Sequence, residues 1–114
     1  MHELVLRLVD ISEHDIYSAI MPLYPKANYT FLRFERSHIE GKKYDAILKN
    51  KSTGREVKVP FGAKGYQQFK DRALGLYRSQ DHGDTTRRAR YIARHSRDIN
   101  TAYSPSWFSL KYLW

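Results

Sequence analysis

Four stretches of the chain carry apolar and polar residues in the pattern of β-strands. In residues 3–9, ELVLRLV, Leu4, Leu6 and Leu8 alternate with Glu3, Val5, Arg7 and Val9. Tyr29–Arg36, YTFLRFER, joins aromatic content to alternating Arg33 and Glu35. A hairpin follows, in which Lys43–Lys49 (KYDAILK) and Arg55–Phe61 (REVKVPF) flank the loop Asn50–Gly54. Val57, Val59 and Phe61 make one face of its second strand. Pro60 has no N–H to give a ladder, so that strand is expected at a sheet edge or to end there.

Three helices are expected. Ser12, three residues before Asp15, opens a short one that runs to about Met21 and is ended by Pro22 and Pro25. Tyr66, Phe69, Ala73, Leu76 and Tyr77 would share one face of a second helix over 66–77, with Lys70, Asp71 and Arg78 in solvent. Gly75 weakens it by about 1 kcal/mol relative to alanine. The third begins at an N-cap of Asp84 or Thr85. Its spacings of three, four and three stack Arg87, Arg90, Arg94 and Arg97 on one face. Ala89, Ile92, Ala93, Ser96 and Ile99 would then dock on the core. Asn100–Trp114 forms an aromatic tail that should pack on its own domain or on a partner. The order implies an α+β fold, a small antiparallel β-meander with helices on one face and an aromatic C-terminal tail.

Composition narrows the class. The 114 residues fit one domain with a real core, and 41% apolar and 14% aromatic content argues for a folded chain. There is no cysteine, hence no disulfide or thiolate metal site. No apolar run approaches a membrane span, and MHELVLRLVD does not read as a secretion signal, so neither membrane insertion nor secretion is expected. The net charge of +8 is lopsided: residues 1–40 hold four basic and six acidic side chains, residues 41–114 sixteen and six. The second half is therefore expected to build a basic binding face.

Arg87, Arg88, Arg90, Arg94 and Arg97, with Lys64, are the candidate phosphate-binding residues, arginine being suited to bidentate phosphate contact. Lys42, Lys43, Lys49, Lys51, Lys58 and Lys70 would widen the footprint. The plainer alternative is a solvated helix face partly neutralised by Asp81 and Asp84. Nothing in the pattern encodes base specificity. Asp81, His82, Asp84 and His95 are the one cluster resembling a metal or acid–base site, and His82, His95 and Asn100 loosely resemble the histidines and asparagine of HNH-type nucleases. Helix capping by the aspartates and a structural hydrogen bond from His95 account for them more simply. Phe61–Tyr66, FGAKGY, is either an anion-binding turn or a tight connection needing positive φ; it is not a Walker A loop. Trp107, Phe108, Tyr112 and Trp114 would stack bases, plug into a partner or close the core. No catalytic residue, metal site or cofactor is assigned.

Several of these pieces in order resemble a known family: Lys43-Tyr44-Asp45-Ala46, Phe61-Gly62, Gly65-Tyr66, Asp81-His82, Asp84, Arg87-Arg88, Tyr91, Arg94-His95, Ser109 and Leu113-Trp114. The family comprises small uncharacterised basic proteins of large DNA viruses and some phages. The resemblance covers residues 42–114 and leaves 1–41 as a divergent N-terminal region of the same domain. It implies a viral origin, a place in the virion or host-cell cytoplasm, and no known activity. Two uses are expected: binding nucleic-acid phosphates during replication or packaging, or serving as a virion cement protein. In the second use acidic viral proteins would meet the basic face, and the aromatic tail would dock on capsid, portal or tail within a larger viral particle.

Overall fold

The computed structural model describes residues 24–97 and 101–114. The strand expected at 3–9, the helix after Ser12, and Ile99 and Asn100 lie outside them. Three antiparallel strands, β1 (Tyr29–Arg36), β2 (Lys42–Asn50) and β3 (Glu56–Ala63), pair in the order β1-β2-β3. The meander is the expected one, and among the described strands Pro60 sits on an edge strand, where its missing N–H costs no ladder bond. Asn50 closes the β2–β3 loop by accepting from Ser52 N at 2.8 Å and Thr53 N at 3.0 Å. After a single 3₁₀ turn at Arg78–Gln80 come two helices, α1 (Thr85–Arg94) and α2 (Pro105–Tyr112).

One sheet face carries the core. Tyr44, Ala46 and Leu48 of β2 and Val59 and Phe61 of β3 meet Phe108 and Leu113 from the C-terminal segment. Phe108 stacks on Phe61 at 5.5 Å and on Tyr103 at 5.7 Å, while Tyr112 meets Phe34 edge-on at 4.7 Å. The tail thus closes its own domain as a helix. Ser104 accepts from Trp107 N at 3.1 Å as the N-cap and Pro105 follows in the first turn, the residues best suited to those positions. On the other face Ile47 is fully buried between its cross-strand neighbours Arg33 and Lys58. Arg33 reaches Glu35 at 2.8 Å and, across β2, Glu56 at 3.3 Å. These half-exposed pairs are each worth less than about 1 kcal/mol.

The helix expected over 66–77 does not form. The stretch is irregular, with Gln68 and Asp81 making an isolated parallel bridge. Gly75 adopts φ +72°, where a right-handed helix cannot continue. The backbone instead satisfies the last carbonyls of α2: Phe69 N and Lys70 N donate to Leu113 O, and Arg72 N donates to Tyr112 O at 2.8 Å. Asp71, expected in solvent, is 6% exposed. It accepts from Tyr44 Oη at 2.5 Å and from the backbone of Ala73 and Tyr77, each at 3.0 Å.

Gly62 lets the two halves of the core approach. It lies inside β3 at φ +77°, and a Cβ there would stand 2.9 Å from Leu113 Cδ1 and 3.2 Å from Lys43 Cβ. Gly62→Ala therefore combines left-handed backbone strain with overpacking, a loss of roughly 2–4 kcal/mol. Thermal unfolding followed by circular dichroism should show Tm falling by about 10 °C or more. An unchanged Tm would mean that the close approach of β3 and the C-terminal segment is not needed.

Candidate functional site

α1 starts where the sequence says it should: Asp84 caps it, accepting from Thr86 N at 2.9 Å and Arg87 N at 3.1 Å. Its rotation differs from expectation. Ala89, Ala93 and Ser96 are exposed, and the packed side is Arg88, Tyr91, Ile92 and His95, roughly 100° around the helix from the expected docking face. Tyr91 stacks on Trp114 at 4.1 Å with planes 3° apart, and His95 stacks on Tyr91 at 4.3 Å. Arg88 Nε donates to Trp114 O at 2.6 Å while its guanidinium lies 5.1 Å from the Phe69 ring. A large aromatic surface buried in this way outweighs the methyl groups of two alanines. Arg88 is thus a packing residue, whereas Arg87, Arg90, Arg94 and Arg97 are exposed; Arg97 lies just beyond the end of α1.

The rotation opens a cleft of about 380 Å³ between α1, the 62–68 segment and the C-terminal residues, lined among others by Arg87, Arg94, Tyr91, Tyr66, Ser109 and Lys43. Arg87 Nη1 donates to Gln67 Oε1 at 2.8 Å, which aims the guanidinium across the cleft. Lys43, expected among the surface lysines, is instead 1% exposed. Its Nζ donates to Tyr66 O at 2.7 Å and to Gln68 Oε1. Among the described residues no carboxylate is within ion-pair distance of it. Burial pushes its pKa down, opposed by the more distant charges of Asp71 and Asp81. Gln68 Nε2 passes the chain on, donating to Asp81 Oδ1 and to Tyr77 O, each at 2.8 Å.

The Asp81, His82, Asp84 and His95 cluster does not converge. Asp81 Oδ1 also accepts from Asp71 N at 2.8 Å, Asp84 is the cap, and His82 Nδ1 accepts from Asp84 N at 2.9 Å. Among the described residues no group of three or more such side chains is placed to hold a metal ion, and no helix is long and apolar enough to cross a membrane. Lys64 is exposed on the turn beside the cleft, and its backbone N–H donates to Gly41 O rather than to a ligand. Of the aromatic tail, Phe108 is fully buried, Trp107 and Tyr112 are packed against the core, and Trp114 forms a cleft wall. The sequence carries no signal that joins Lys43 to residues 66–68, because its partners there, the Tyr66 carbonyl and Gln68, are distant in sequence. No family model, curated protein or solved structure matches the chain.

His82 links this region to pH. Burial, then the charge of Arg87, holds its pKa below the ordinary 6.5, against the pull of Asp84 and Asp81. Its Nδ1 accepts from Asp84 N, so protonation turns that acceptor into a donor. A depressed pKa means the unfolded chain binds the proton more readily. The stabilisation is therefore complete above about pH 6.5 and is lost as pH falls through the folded value. Asp45 adds a second loss at lower pH: burial raises its pKa, but donation by Ser37 Oγ and by the ring and N–H of His38 brings it net below the ordinary 3.8. His82→Asn keeps an acceptor for Asp84 N. It should flatten the decline of Tm between about pH 7 and pH 5 while leaving the steeper acid loss. An identical pH profile would remove His82 as the source.

Proposed function

We propose that the protein is a non-enzymatic, virus-encoded binder of nucleic-acid phosphates that engages the backbone through the cationic side of α1 during replication or packaging. The observation that supports this reading is the disposition of Arg87, Arg90, Arg94 and Arg97. All four are exposed, and among the described residues no carboxylate pairs with any of them. The opposite side of the helix is held by Tyr91, Arg88 and Trp114, so the guanidinium groups are presented from a fixed element. A fixed helix loses little backbone entropy on meeting a regular row of phosphates. Lys64, exposed beside the cleft, extends the basic surface. The viral setting comes from the family resemblance of residues 42–114. The cement-protein alternative now rests on the basic face alone, because the rings meant as its anchor are engaged within the domain.

The test uses a covalently closed duplex without free ends, titrated between about 50 and 200 mM salt. Replacing Arg87, Arg90, Arg94 and Arg97 by Gln should flatten the slope of log K against log salt by about 3 to 4, one phosphate contact per arginine. Absence of binding at the lowest salt, or the same slope in both proteins, overturns the reading.

A further inference from the structure

Lys43 is an unusual lysine. It is 1% exposed and lines a solvent-connected cleft, and its ammonium has two neutral acceptors, Tyr66 O and Gln68 Oε1, with the Tyr77 ring 5.9 Å away. A buried cation without an adjacent counter-ion is costly, and its positive charge adds to the potential of the cleft above it. Arg87 and Arg94 line the same cleft, so three cationic side chains surround one cavity. Arg87 spends one donor on Gln67 and keeps the rest of its fork. Tyr66 also lines the cleft and, at 72% exposure, is the most exposed large apolar side chain described. An aromatic ring kept in water beside an anion pocket suits the stacking of a base.

The size of the cleft selects among phosphates. At about 380 Å³ it holds a mononucleotide-sized group but not a duplex. An internal phosphodiester, flanked by sugars on both sides, does not fit inside a cleft of this size. A terminal phosphomonoester has a free end and a charge of about −1.5 to −2, the better match for three cations. We propose that this cleft captures the terminal phosphate of a nucleic-acid strand on Arg87 and Arg94, over the buried charge of Lys43, with the terminal base stacked on Tyr66. The proposal deepens the phosphate-binding reading and rests on it, adding recognition of strand ends to contact with the backbone.

The experiment compares fluorescently labelled single strands of about a dozen nucleotides, identical except for a 5′-phosphate, a 3′-phosphate or hydroxyl ends, near physiological salt. At least one phosphorylated strand should bind about tenfold or more tightly than the hydroxyl strand. The preference should shrink to about twofold or less in Arg94→Gln and in Lys43→Met. Tyr66→Ala should weaken the phosphorylated strand about fivefold or more. Lys43→Met is read only if its unfolding transition is intact; otherwise Arg94→Gln, at an exposed position, decides. Equal affinity for phosphate and hydroxyl ends in the native protein overturns the proposal, and binding of the closed duplex would then leave the backbone reading standing. A free nucleoside 5′-monophosphate that competes as well as the phosphorylated strand also overturns it, in favour of a soluble nucleotide ligand.

Discussion

A chain of buried polar groups running from Lys43 through Gln68 and Asp81 to Asp71 and Tyr44 holds the irregular half of the molecule to the sheet. Between β3 and α1 there are some twenty residues with a single 3₁₀ turn and no strand of their own. Such a segment would ordinarily fluctuate. Here Gln68 spans from the Lys43 ammonium to Asp81, and Tyr44 Oη both donates to Asp71 and accepts from Leu76 N at 2.9 Å. Buried polar networks of this kind are costly when any member is missing, and so they specify one arrangement. The position of Asp84, and with it the start of α1, is a consequence.

The same network explains how a sheet of ordinary design supports a concave cationic surface. Segment 69–72 caps the end of α2, which brings Leu113 and Trp114 beneath the beginning of α1. Trp114 then offers a flat ring to Tyr91, and that stack sets the rotation of the helix. Arg87 and Arg94 fall on the rim as a result, one turn either side of Tyr91, with Lys43 below. Gly62 is the steric condition for all of this, since any side chain there would separate Leu113 from β3.

The two faces of the sheet solve burial differently. On the core face aromatic rings from β1, β3 and α2 interlock, which supplies large buried area with few side chains. On the opposite face Asp45 is a fully buried carboxylate, made tolerable by the Ser37 hydroxyl and by the ring and N–H of His38 in the β1–β2 turn. That turn is therefore fixed by a strand residue rather than by glycine alone. The loss of stability through Asp45 in acid and the hairpin geometry have a common origin.

Much of this was legible in the sequence, for local reasons. Alternation fixed β1 and the β2–β3 hairpin, Pro60 marked the edge, and Asp84 announced α1, because each depends on residues within a few positions. The arginine stripe was legible too, since helical spacing alone aligns it. Ser104 and Pro105 would have revealed α2 had the aromatic residues not dominated the pattern. The segment after Gly65 was misread because its apolar spacing mimics a helix, while Gly75 and the demands of Asp71 favour a wrapped chain. Tertiary structure alone decided which side of α1 faces the core and that Lys43 is buried. Both follow from partners remote in sequence: Trp114 for Tyr91, and Tyr66 and Gln68 for Lys43. A one-dimensional pattern reports periodicity, but the energy of a stacked ring or a buried ammonium exists only once its distant partner is in place.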